Sequence, residues 1–176
     1  IKYIGAILFS VALLCICLKG YSLFTGKIGF IPETHDKEAF SVLLLGLLGN
    51  AIATCVCGAV IRAVLPTVGE NALTICTSKL EQTIPSALVR AVFCGILMYL
   101  AVSIYRDHNK NIAGILFCIP VFILCGFEHS IADMFYFAAS GIISLKAFGY
   151  LWIIIIGNAI GGMLLPFITG AAARQK

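Results

Sequence analysis

Two ionisable residues sit where charge is expensive. Glu128 and His129 lie about 17 residues from either end of the apolar stretch 112–145. A charge that deep in hydrocarbon costs several kcal/mol unless it is paired or lines a cavity. His129 is the histidine inside an apolar run, whereas His35 and His108 fall in loops. Imidazole titrates near neutral pH. In a dry pore it can hydrogen-bond an anion, or lend a proton so that a weak acid passes uncharged. That reading is favoured for His129 over plain burial. For Glu128 a structural role is favoured: a carboxylate suits the N-terminus of a half-helix starting at Ser130. The ends of broken helices add positive potential at the same depth.

A second set of residues sits in matching order. Gly49-Asn50-Ala51-Ile52 recurs as Gly157-Asn158-Ala159-Ile160. Leu23-Phe24-Thr25-Gly26 precedes the first copy, and Gly126-Phe127-Glu128-His129 precedes the second. Each half therefore reads as a span broken by Gly and polar residues, then an intact span carrying Gly-Asn. Broken spans in corresponding positions of two halves point to a transport site. Gly126, Asn50 and Asn158 read as its structural support. Thr25 is the group matched to His129. Its hydroxyl can hydrogen-bond the imidazole and hold its tautomer, and a helix cap fits the spacing equally well. Phe9, Leu13, Leu23, Phe24 and Phe122 flank the two breaks. They fit apolar constrictions that dewet a pore, or ordinary packing.

The elements that must position these residues are membrane spans. The chain is 61% hydrophobic and 11% charged, against about 25% charged in soluble domains, and its mean hydropathy is +1.06. Apolar segments at 3–18, 40–61, 85–105, 112–145 and 148–169 have span or half-span lengths. Loops are expected at 27–38, 65–82 and 106–111, the middle one carrying Thr67, Glu70, Asn71, Thr74, Thr77 and Ser78. The fold expected is an all-α polytopic membrane protein with an aquaporin-like inverted repeat of three helices per half. It is read as one transmembrane channel domain over 1–176. Residues 1–64 are the remainder of the first repeat, 65–84 an extramembrane loop and 85–173 the second repeat. The chain begins at Ile1, and a first transmembrane helix is expected to be missing, since one more span gives each half three. Lys27, Lys37, Arg106, Lys110, Arg174 and Lys176 outnumber Lys2, Arg62, Lys79, Lys146 and Arg90 across the bilayer, which favours a cytoplasmic C-terminus.

Several function classes drop out. A net charge of +4 with no basic stripe excludes nucleic acid as a partner. Seven of the eight cysteines lie in apolar runs and read as small hydrophobes, with Cys76 alone in a loop. The pairs Cys15/Cys17 and Cys55/Cys57 resemble metal ligands, but C-x-C on a helix turns its thiols to different faces. No metal and no cofactor is expected. Neither is an enzyme: there are no paired catalytic carboxylates, no nucleophile with a base and no cofactor loop. A neutral-solute channel and a non-transporting membrane subunit are the alternatives to an anion path.

The run Gly126-Phe127-Glu128-His129-Ser130-Ile131-Ala132-Asp133-Met134-Phe135 closely resembles the signature of the formate/nitrite transporter family, G-F-E-H-S/C-I/V-A-N-M. Leu23-Phe24-Thr25-Gly26 looks like that family's first broken-helix loop, and Gly49-Asn50 and Gly157-Asn158 look like its paired Gly-Asn motifs. The flanks of the signature resemble the hydrosulfide-channel branch. The resemblance implies a homopentamer of aquaporin-like protomers in a bacterial plasma membrane. Each would pass a small monovalent anion (formate, nitrite or hydrosulfide), with H+ as a possible second partner. It implies that His129 is the central histidine, bonded to Thr25, with constrictions at Phe9, Leu13, Leu23 and Phe122. Lys79 looks like the family's vestibule lysine, although its spacing to the next helix differs. Asp133 departs from the usual Asn. A carboxylate there would repel an anion unless protonated, paired or turned away.

Overall fold

The computed structural model describes residues 2–34 and 37–170. His35, Arg174 and Lys176, which enter the loop and topology expectations above, lie outside them, as does the side chain of Lys2. Every regular element described is helical. The order is α1 (Lys2–Lys19), α2 (Phe24–Lys27), a 3-10 turn (Ile28–Phe30), α3 (Ile31–Thr34), α4 (Lys37–Val64), α5 (Pro66–Leu80), α6 (Ile84–Asp107), α7 (Ala113–Cys125), α8 (Ser130–Ser140) and α9 (Leu145–Ile168).

Three of these, α4, α6 and α9, are long and apolar enough to cross a bilayer alone. Two more spans form if each bent pair counts as one. The pair Tyr3–Lys19 and Phe24–Thr34 bends by 63°, and Ala113–Cys125 with Ser130–Ser140 bends by 49°. The five apolar segments thus reappear, two of them broken.

Both breaks are made by the same local chemistry. After α1, Gly20 takes φ +70°, its N–H bonds Cys17 O, and Tyr21 N–H bonds Ile16 O. After α7, Gly126 takes φ +69°, its N–H bonds Ile123 O, and Phe127 N–H bonds Phe122 O. Each is the paired closure that stops a helix at a left-handed glycine and satisfies its last carbonyls. A side chain at either position would pay the left-handed penalty.

Two expected loops are not loops. Residues 24–34 continue helically after the first break. Residues 66–80 form α5, where the polar side chains suggested a cap. Pro66 starts α5 at its first turn, where a missing N–H costs nothing. Gly69, Ala72 and Cys76 are its buried face. Cys76 is therefore fully buried on a helix.

Small residues let the central helices close. A Cβ on Gly95 of α6 would stand 2.3 Å from Asn158 O on α9, and one on Gly161 would stand 1.9 Å from Val92 O. Backbones approach this closely across membrane helices only where no side chain intervenes. This α6–α9 contact carries Asn158 to the second break.

Candidate functional site

One asparagine clamps each break, and it does so the same way twice. Asn50 Oδ1 accepts from Phe24 N–H at 3.0 Å, and its Nδ2 donates to Ser22 O at 3.0 Å. Asn158 Oδ1 accepts from Ser130 N–H at 2.8 Å, and its Nδ2 donates to Glu128 O at 2.8 Å and to Ala91 O at 2.9 Å. Each side chain straddles the residue that begins the second half-helix: Leu23 in one break, His129 in the other.

This clamp corrects the register of the repeat. Gly20-Tyr21-Ser22-Leu23 matches Gly126-Phe127-Glu128-His129. The counterpart of His129 is Leu23, not Thr25. The expectation placed the first break at Leu23–Gly26; the glycine that makes the turn is Gly20. Thr25 stands two residues further on, inside α2.

Thr25 and His129 nonetheless meet. Thr25 Oγ1 lies 2.9 Å from His129 Nε2, and both residues are buried. His129 is itself the cap of α8, its Nδ1 accepting from Ala132 N–H at 3.1 Å. A backbone N–H can only donate, so Nδ1 carries no hydrogen. The ring proton of the neutral imidazole then sits on Nε2 and donates to Thr25 Oγ1. The Thr25 hydroxyl proton is left to donate elsewhere. A second proton on the ring would break the α8 cap.

Apolar side chains close around this pair. Phe9 meets the imidazole edge-on, with centroids 5.7 Å apart, and Phe122 stacks on it at 5.8 Å. The two phenyl rings touch each other at 5.5 Å. Leu13 and Leu23 instead line a cavity of about 570 Å³ shared with Ser22, Gly26 and Tyr105 and bordered by Lys27, Arg106 and Lys110. Phe24 is buried in the core beside them and does not line that cavity.

Glu128 does not cap α8, because His129 takes that role. Its carboxylate turns to α5, where Lys79 Nζ donates to Oε2 and Gln82 Nε2 donates to Oε1 at 2.9 Å. Lys79 Nζ also lies 3.0 Å from Asp133 Oδ1. Burial alone would pull the Lys79 ammonium down, but the charges of Asp133 and Glu128 outweigh it and hold it above its usual range. Lys79 therefore stays a cation across the physiological range. Gly126 O is held by Arg90 Nη1 at 3.1 Å, so the turn is fixed through its carbonyl as well as its φ.

The reach of Lys79 was hidden because α5 reads as a polar loop. The signal was there: Gly69, Ala72 and Cys76 recur at helical spacing. Beyond the first break, α3 carries an ion pair that was not legible in the residues. Arg106 Nη1 lies 2.9 Å from Glu33 Oε2, and the guanidinium covers the Phe30 ring at 3.8 Å.

The sequence pattern of the family described as "Formate/nitrite transporter" matches residues 1–171. The "Uncharacterized transporter YrhG" of Bacillus subtilis (strain 168) is 28% identical over 184 residues, covering 96% of this chain and 67% of that protein. "Formate-nitrite transporter 2" of Toxoplasma gondii (strain ATCC 50611 / Me49) is 28% identical, covering 93% of this chain and 40% of that protein. The chain thus spans two thirds of one relative and less than half of the other. Among solved structures, a "Pentameric formate channel with formate bound" superposes with a TM-score of 0.77 at 22% identity, over 99% of this chain and 84% of that one.

Proposed function

The chain belongs to the formate/nitrite transporter family, and from that premise we propose that it is a membrane channel for a small monovalent anion: formate, nitrite or hydrosulfide. The observation that carries this reading is the Thr25–His129 pair, where the two broken spans meet, with Phe9 and Phe122 packed against the imidazole and Leu13 and Leu23 lining the cavity at the first break. A desolvated anion needs hydrogen-bond donors to replace its water. Thr25 supplies the free hydroxyl proton, and the His129 Nε2–H orients it. Coupling to H+ through His129 requires the ring to release Ala132 N–H, and we place that step within the same reading. Lys79, bonded to Glu128 and Asp133 beside the second break, is taken in this reading as the vestibule lysine. By analogy with the solved formate channel of this fold, the assembly is a homopentamer. We place it in a bacterial plasma membrane by the family resemblance, with the C-terminus cytoplasmic on the excess of Lys and Arg assigned to that face.

Proteoliposome uptake of formate, nitrite and hydrosulfide across a pH series, beside a neutral solute of similar size, tests it. The anions are expected to pass and to respond to pH. Passage of the neutral solute with no anion flux would overturn the reading in favour of an aquaporin-like path. Unchanged anion flux in a His129→Ala variant would remove His129 from the path.

A further inference from the structure

Asp133 is the feature that the channel reading leaves unexplained. It is 1% exposed. Its Oδ1 lies 3.0 Å from Lys79 Nζ, and Glu128 Oε2 meets the same Nζ. One ammonium therefore serves two buried carboxylates. With all three ionised the cluster carries a net charge of −1 in a dry environment. Glu128 is fully engaged by Lys79 and Gln82. Asp133 is not: its Oδ2 is buried and meets no hydrogen-bond partner among the described residues. A bare carboxylate oxygen in that position is costly. Two carboxylates held this close cannot both ionise freely.

We propose that the Glu128–Asp133 pair, bridged by Lys79, is a proton-binding site separate from His129, the proton residing on Asp133 Oδ2 and turned toward Glu128. With the proton bound, the cluster is neutral and Oδ2 becomes a donor beside an acceptor. Without it, one unit of negative charge sits next to His129, to whose carbonyl the Asp133 N–H is bonded. His129 cannot play this part cheaply, because both of its nitrogens are already bonded to Ala132 N–H and Thr25 Oγ1.

The surroundings leave the pair to titrate by itself. Lys79 and Cys76 face it from α5, Arg90 and Cys94 from α6, Tyr136 from α8 and Tyr150 from α9. Arg62 of α4 is spent on Ser140 O at 2.6 Å and Arg90 on Gly126 O. Among the described residues, Lys79 is the one cation bonded to either carboxylate.

The effect on transport rests on the channel reading; the bound proton does not. The first measurement is therefore independent of flux: pH-difference infrared spectroscopy on the full chain in lipid. The wild type is expected to lose one C=O band of a protonated carboxylic acid as pH rises, and isotope labelling of aspartate should shift that band. The labelling works on the unmutated protein, so a misfolded variant cannot blur the result. Absence of the band, or a band that moves only with labelled glutamate, overturns the proposal. Asp133→Asn should abolish the band, and its persistence there also overturns it. The second measurement is formate flux. Wild-type flux should fall as pH rises through the interval in which the band is lost. Asp133→Asn should flatten that decline by about tenfold, the lower end of what focused charge does to local ion concentration. A wild type that passes no anion at any pH sinks the channel reading and leaves the infrared result to decide the proton site.

Discussion

The two breaks share a skeleton and differ in chemistry. Both end a helix at a left-handed glycine, and both are clamped by an asparagine that bonds the residues on either side of the N-cap of the following helix. At the clamped position one break has Leu23 and the other His129. One residue earlier they have Ser22 and Glu128. At the first break Leu23 makes no side-chain cap, and the break opens onto a cavity. The second is capped by His129 and tied by Glu128 to α5. The clamp is what the fold needs, because broken helix ends in lipid must find partners within the protein. The ionisable groups stand at one break, and the apolar break brings Thr25 against His129.

The sharpest way to break this comparison is at the clamps. Asn158→Ala leaves Ser130 N–H, Glu128 C=O and Ala91 C=O without their partner. At about 1–3 kcal/mol for each buried group left unpaired, the loss is expected to reach about 3 kcal/mol or more, read as earlier thermal unfolding in detergent. His129→Leu makes the second break a chemical copy of the first. Formate flux should drop about ten- to a hundredfold, since a hydrogen bond to a charged group contributes about 1.5–3 kcal/mol. Flux at wild-type level would show that the difference between the breaks is not functional. Asn50→Ala removes two bonds at a half-buried site, and about 1–2 kcal/mol is expected in the same melting assay. If it costs as much as Asn158→Ala, the second break is not the more tightly held one. Thr25→Val keeps the His129 cap and removes its Nε2 acceptor. Flux should fall severalfold because the hydroxyl is gone, and the unpaired Nε2–H should lower stability by about 1 kcal/mol in the same melting assay.

Much of this was legible in the residues. Apolar run lengths give the five spans, because lipid fixes the length of a helix that crosses it. The repeated Gly-Asn and the costly Glu128-His129 locate both breaks to within a few residues. Burial in hydrocarbon demands a reason, and these residues had none except a cavity or a partner. The register of the first break was not legible. Gly20 and Gly26 are both plausible turn glycines, and only the positive φ and the reach of Asn50 decide between them. The α5 helix was also hidden, because its exposed face is polar and the small residues of its buried face carry little hydropathy.

The sequence by itself determined that this is a polytopic membrane protein with a histidine deep in a broken span. Hydropathy and the cost of charge in lipid are properties of the residues and need no fold to be read. Which groups meet was decided by tertiary structure, although the family resemblance had already paired Thr25 with His129. Thr25 and His129 lie 104 positions apart, and Lys79 and Glu128 lie 49 apart. Only the packing of α2 and α5 against α8 brings them together. That packing turns Glu128 from an expected cap into a partner of Lys79. It also turns Asp133 from an anomaly in a motif into half of a carboxylate pair.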